Sequence, residues 1–335
     1  MARIIFICRQ GESYSSVYSY NITGLWNSAN FVADAISNKH EVKVVKVADE
    51  NGIDKELFNF KPDIVILEAV WVTPKKLNEL VNISRYKNLK WIVRVHSKPT
   101  FLANEGIALT WLVQYAVVPN VVLSGNNNEF NSMMAGIGVN TVLLPNVYNI
   151  EFNTNYSYDI KDCVDIGCFG AIRPMKNHLQ QASGAIEFAN RISKKLRFHV
   201  NATRAEQGGE NVLKNLRALF STTHHELIEH PWYPHSEFLK LVAQMDMGLQ
   251  VSLSESFNIV SADFVSQNIP IVTSKEVDFV ASMYYADTGS IHSISKTLTY
   301  AYNTRVFRMH KVNQWLLNYH NSKALNMWNR FLGVV

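Results

Sequence analysis

A chain of 335 residues is longer than a single hydrophobic core usually supports, so two domains of about 150 residues each are expected. An apolar share of 47% against 18% charged residues argues against a disordered chain, and a net charge of +4 falls short of the footprint of a dedicated nucleic-acid binder while permitting an anionic partner. Cys8, Cys163 and Cys168 are odd in number and stand at no metal-ligand spacing, which argues against a disulfide framework and points to core thiols in a reducing compartment.

The opening "MARIIFICRQGE" has too short an apolar run for a signal peptide, because Arg9 and Glu12 close it, and it is expected to form a first strand. The following "RQGESYSSVYSYNITG" is longer than the usual βα connection and lacks GxGxxG, so a nicotinamide-type fingerprint is not supported. Its tyrosines Tyr14, Tyr18 and Tyr20, with Arg9 nearby, are candidates for stacking on an acceptor. "EVKVVKV", "DIVILEAV", "WIVRVHS", "NVVLSGN" and "TVLLPNV" are further strands, and amphipathic stretches such as "NSANFVADAISNK" lie between them. Strand and helix alternating in this way predict a parallel sheet covered on both faces. The most apolar stretch, "IALTWLVQYAVVPNVVL", is broken by Gln114, Pro119 and Asn120 before it reaches the length of a membrane span, so a cytoplasmic protein without membrane insertion is expected.

Periodicity fades over residues 149–162, where a linker is expected, and then restarts with "VDIGCFG", "LRFHVNA", "ELIEH", "GLQVSL" and "IPIVTS" as strands between helices. The expected fold class is therefore α/β, with two doubly wound domains facing a cleft. Residues 1–150 form the first domain and 160–313 the second, and a C-terminal helix within 314–335 crosses back to the first.

Two acids mark the segment "SESFNIVSAD": Glu255, and Asp263 eight positions later. On one continuous helix their backbones would lie about 12 Å apart along the axis. That exceeds the separation of a glycosidase carboxylate pair, roughly 5 to 9.5 Å, and suits gripping two ends of an extended ligand. Phe257, Asn258, Ile259 and Val260 are read as the first helical turn, whose amides attract phosphate. Together these features match a nucleotide-sugar. The alternative is that Glu255 complements the helix dipole and Asp263 is solvated. In "GAIRPMKN", Arg173 and Lys176 follow a strand and precede a helix, a place where cations are unfavourable without an anion, so a diphosphate is expected there; the alternative is a pair of surface cations. His96 ends a first-domain strand at its carboxyl end, where a functional role competes with a structural one. Trp232 and Tyr233 are candidates to flank a nucleobase, against plain core packing.

"ESFNIVSAD" is similar to the E-x-F-G-x-x-x-x-E signature of the retaining glycosyltransferases of the GT-B fold in the large group often called GT4, whose two domains are Rossmann-like. "GAIRPMKN" resembles that group's G-R-L-x-x-x-K segment, and "LPNVY" its P-N-G segment. The resemblance implies that Glu255 contacts the donor sugar, that the backbone from Phe257 to Val260 holds phosphate, that Asp263 meets the ribose, that Lys176 meets the diphosphate, and that His96 lies close to the donor sugar. It also implies retention at the anomeric carbon and no required metal or other cofactor; in agreement, the chain contains no D-x-D pair and no His/Cys cluster. Asn258 stands where glycine is usual, Ala171 where arginine is usual, and Asp263 where glutamate is usual. "WIVRVHSKPTFLANEGIALTWL" in an asparagine-rich chain looks similar to phage-encoded sugar transferases, which implies a hydroxymethylated pyrimidine in double-stranded DNA as acceptor. Alternatives are a cell-envelope glycan, lipid or small hydroxyl compound as acceptor, a non-catalytic sugar-nucleotide-binding module, and a sugar-nucleotide epimerase.

Overall fold

The computed structural model describes residues 1–10, 24–155 and 161–333. Tyr14, Tyr18 and Tyr20 lie outside the described residues. The chain divides into two compact units, residues 1–149 with 321–335, and residues 150–320.

In the first unit the elements run β1 (Arg3–Arg9), α1 (Gly24–Ile36), β2 (Glu41–Val47), α2 (Gly52–Phe60), β3 (Ile64–Glu68), α3 (Pro74–Asn82), β4 (Lys90–Val95), α4 (Pro99–Leu102), α5 (Ala108–Tyr115), β5 (Val121–Gly125), α6 (Asn128–Gly136) and β6 (Thr141–Leu143). All six strands are parallel in the order β2-β1-β3-β4-β5-β6. Such a sheet is buried on both faces, which is why its strands read as nearly unbroken apolar runs. Along β1 the period of two sends Ile5 and Ile7 into a core with Leu57, Leu77, Leu112 and Phe130, whereas Ile4, Phe6 and Cys8 join the α1 residues Ala29, Val32 and Ile36.

The second unit carries β7 (Cys163–Gly167), α7 (His178–Arg191), β8 (Lys195–Asn201), α8 (Gly209–Ser221), β9 (Glu226–His230), α9 (His235–Val242), β10 (Met247–Gln250), α10 (Ile259–Ser266), β11 (Ile271–Thr273) and α11 (Ile291–Thr304). Its five parallel strands are ordered β11-β10-β7-β8-β9. The last helix, α12 (Val312–Phe331), contributes residues up to His320 to the second unit and those from Asn321 onward to the first. There Trp328 packs on Phe6 and donates its indole N–H to the Pro145 carbonyl at 2.8 Å. The C-terminal helix thus returns to the first sheet, and the expected fold class holds.

Two glycines set the depth of α10 in the second unit. Gly248 on β10 is in register with Gly167 on β7, and a Cβ at Gly248 would meet the Phe264 ring at 2.7 Å. Because overpacking a buried contact forces side chains off their rotamers, Gly248→Ala is expected to cost about 1–3 kcal/mol. The loss should appear as a lower urea midpoint, and an unchanged midpoint would show that α10 has room to lift.

Candidate functional site

Strand order decides which loops of the second unit meet. From β7 the chain moves to β8 and β9 on one side, then returns to β10 on the other, so the loops after β7 and β10 leave neighbouring strand ends. Ligands of doubly wound sheets bind at such a reversal. Gln181 of α7 ties the two loops together: its Oε1 accepts from the Val251 N–H at 2.7 Å, and its Nε2 donates to the Lys176 carbonyl at 2.6 Å. The result brings Lys176 Nζ to 2.5 Å from Glu255 Oε1, with the two side chains only 10% and 8% exposed. A cation and a carboxylate from the two loops singled out in the sequence, 79 positions apart, therefore form one buried ion pair.

Beside this pair begins α10, and it differs from expectation. The helix starts at Ile259, so Phe257 and Asn258 precede it instead of forming its first turn. Asn258 is the cap: its Oδ1 accepts from the Ser261 N–H at 2.8 Å, while its Nδ2 donates to Gln250 Oε1 at 2.9 Å. Its backbone is extended, at φ −91°, so the glycine usual in the resembled motif is not needed for conformation, and its side chain is engaged by Gln250 and the helix. Among the first amides, those of Ile259 and Val260 are left without intrahelical acceptors. The Phe257 ring packs against Phe279 and His320.

Asp263 is 1% exposed, which overturns the reading of it as a solvated side chain. Its Oδ1 is 2.7 Å from His235 Nε2 at the start of α9. Burial opposes charge on this histidine, but the hydrogen bond to Asp263 and its negative charge prevail, so the His235 pKa lies above its ordinary value. Arg173 lies 3.5 Å from Glu206, an ion pair that joins the loop after β7 to the loop after β8. Trp232 lies beneath the Arg204 guanidinium at 4.6 Å, and Tyr233 is 6.4 Å from the His230 ring. Arg9 is the exposed last residue of β1.

His96, in the first unit, is not a lone ring. Its Nε2 bonds the Glu68 carboxylate, and its Nδ1 is 3.4 Å from Asn126 Nδ2. Glu68 and Arg94 are register partners on β3 and β4, fully buried and paired at 3.2 Å; Arg94 also donates to Asn146 Oδ1 and the Leu144 carbonyl. Burial lowers the His96 pKa against the pull of Glu68, leaving a neutral imidazole. Burial works in the opposite direction on Glu68, yet Arg94 and His96 hold it below the usual carboxylate range.

Sequence reasoning missed Glu68, Arg94, His178 and His235. A single charge inside each apolar run "DIVILEAV" and "WIVRVHS" was the available signal, since a buried charge requires a partner. His178, the first residue of α7, is 1% exposed, and neither ring nitrogen has a hydrogen-bond partner among the described residues. Burial, with Lys176 and Arg173 close by, lowers its pKa to about 3. The unfolded chain, at about 6.5, binds a proton that the folded chain refuses, so stability falls as pH drops from about 6.5, by at most about 1.4 kcal/mol per unit. His178→Leu is expected to flatten this part of the pH dependence of the urea midpoint, and parallel curves for the two proteins would contradict a buried neutral ring.

Among the described residues, no cluster of three or more His, Cys, Asp or Glu has metal-binding geometry, and no helix is long and apolar enough to cross a membrane. No protein-family model and no curated protein matches the sequence. Solved structures do match across both units. The sucrose-phosphate synthase of Thermosynechococcus elongatus is 10% identical with a TM-score of 0.71, covering 100% of this chain and 99% of that one. Anabaena HepE, solved in complex with UDP, is 12% identical with a TM-score of 0.69, covering 99% and 100%. A UDP-forming α,α-trehalose-phosphate synthase from Burkholderia xenovorans is 11% identical with a TM-score of 0.64, covering 100% and 98%. At these identities the likeness establishes the fold, GT-B, with two Rossmann-like units.

Proposed function

We propose that the protein is a retaining glycosyltransferase that moves a sugar from a UDP-sugar to a hydroxyl acceptor without a required metal. The observation that carries this reading is the buried Lys176–Glu255 pair at the β7/β10 reversal, beside the start of α10, on a fold shared with UDP-bound and UDP-forming neighbours. A diphosphate exchanges for Glu255 as the partner of Lys176, and the Ile259 and Val260 amides take further phosphate oxygens. Released from Lys176, the Glu255 carboxylate accepts hydrogen bonds from sugar hydroxyls. Asp263, held by His235, is the residue to which the resemblance gives the ribose. Trp232 and Tyr233 supply flat faces for the base. As the bond from the anomeric carbon to the diphosphate breaks, charge grows on the departing oxygen, and the fixed cations and amides stabilise it. His96 keeps the role near the donor sugar that the resemblance implies, as a neutral ring held by Glu68.

Catalysis, rather than binding alone, is favoured by the neighbours on this fold, which include a sucrose-phosphate synthase and a UDP-forming trehalose-phosphate synthase. For the acceptor, the sequence resemblance nominates a hydroxymethylated pyrimidine in DNA, ahead of an envelope glycan, lipid or small hydroxyl compound. The test incubates purified protein with a panel of UDP-sugars and hydroxymethylated DNA, with and without chelator, followed by mass analysis of the nucleosides. A hexose or pentose mass increment that persists in chelator supports the reading. An unchanged spectrum removes the DNA acceptor, and UDP binding without turnover on any acceptor class would recast the protein as a binding module.

A further inference from the structure

A chain of three side chains crosses the second sheet from its interior to the carboxyl end of β9. Asp165 on β7 and His199 on β8 are buried, and His230 is partly exposed as the last residue of β9. His199 Nε2 lies 2.9 Å from Asp165 Oδ1, and His199 Nδ1 lies 2.9 Å from His230 Nε2. The two rings are tilted by only 13° with centroids 5.1 Å apart. That spacing fits two rings joined nitrogen to nitrogen in one plane rather than face to face. The other Asp165 oxygen is taken by Arg197.

One proton order satisfies this chain when His199 is a neutral ring, whereas an imidazolium there would donate from both nitrogens and reverse the role of His230 Nδ1. An ionised carboxylate has no proton to give, so His199 Nε2 carries one and donates it. In a neutral ring, Nδ1 of His199 is then bare and must accept, so His230 carries its proton on Nε2. The remaining atom, His230 Nδ1, is left as a lone pair and has no partner among the described residues. It stands at the strand end that also carries Trp232 and Tyr233.

We propose that Asp165, acting through His199, fixes His230 Nδ1 as a hydrogen-bond acceptor that reads a ring N–H of the donor's nucleobase. This rests on the nucleotide site proposed above. The ligand class is a base with a ring imide N–H, uracil or guanine; cytosine and adenine present a lone pair at the corresponding ring position and repel the acceptor. His230 touches the base, whereas Asp165 and His199 are positioning residues.

Two measurements test it on the full chain. Long-range proton–nitrogen spectra of the ¹⁵N-labelled protein should show His230 protonated on Nε2 and bare at Nδ1, with the Nδ1 signal moving when UDP is added. Calorimetric titration should find UDP or GDP bound about 10-fold more tightly than CDP and ADP, the expected effect of one hydrogen bond against an unmet group; the UDP and GDP arms identify which base is used. Asp165→Asn reverses the chain, because its amide donates to His199 Nε2 and leaves His230 Nδ1 protonated, so the preference should shift toward CDP. Should that variant not fold, His230→Phe keeps a ring in place and should erase the preference. A wild-type His230 protonated on Nδ1, equal affinities for the four nucleotides, or a preference that survives His230→Phe would each overturn the assignment alone. Failure of every nucleotide to bind would overturn the donor site as well.

Discussion

Lys176→Met is expected to lower the rate of sugar transfer by about 10²–10³-fold, the loss found when one preorganised donor to a developing negative charge is removed. The substitution keeps most of the buried stem and removes the charge that faces Glu255. UDP binding should weaken in parallel, because the diphosphate is the group that Lys176 holds in both ground and transition states. Glu255→Gln gives a contrasting result: it keeps the shape of the site and leaves Lys176 free for phosphate, so UDP binding should be largely preserved while transfer falls, the sugar having lost its carboxylate. Initial rates and UDP titrations on the two variants separate the phosphate side of the site from the sugar side. If Lys176→Met bound UDP and transferred sugar as the wild type does, the proposed donor site would be wrong. The folded fraction of Lys176→Met also has to be measured, since it leaves the Glu255 carboxylate with little exposure and no cation, a change that costs about 1–3 kcal/mol.

Arg94→Met should produce the largest loss of stability, about 3–5 kcal/mol, the range for breaking a buried ion pair from one side. Glu68 would remain fully buried with only the His96 hydrogen bond and no cation beside it, and the Leu144 carbonyl and Asn146 would lose a donor. The double variant Glu68→Met/Arg94→Met should recover part of that loss, because no uncompensated charge remains. Urea unfolding of the two single variants and the double variant measures the coupling; additive losses, or a cost for Arg94→Met below about 1 kcal/mol, would contradict a strongly coupled pair. The pH dependence has a definite sign. Since the folded Glu68 titrates below its unfolded value, its contribution is present above about 4.5 and is lost as pH falls through the folded value.

Most of the fold was legible. The apolar runs of β1 to β5 and of β7 to β10 mark buried parallel strands, and the amphipathic stripes between them mark covering helices. The start of α10 was less so. Phe257 and Asn258 lie within an apolar-looking run, yet the helix begins only at Ile259 because the Asn258 side chain bonds Ser261 and Gln250. Composition shows that asparagine favours caps but not which asparagine turns inward. The candidate site was half legible: Lys176 and Glu255 were found by their loop positions and brought together, whereas Asp263 was found without its partner His235.

By itself the sequence determined the class of the molecule: strand and helix alternate, the central strands are apolar on both faces, and backbone hydrogen bonding then admits little besides parallel sheets with covering helices. It also determined the loops in which ionisable residues follow a strand. Tertiary structure alone decided which of those residues meet. Periodicity tells a side chain which face of its own strand it occupies but carries nothing about the neighbouring strand. Glu68 with Arg94, Asp165 with His199 and His230, and Lys176 with Glu255 became partners only when strand order set β3 beside β4, β8 between β7 and β9, and β7 beside β10.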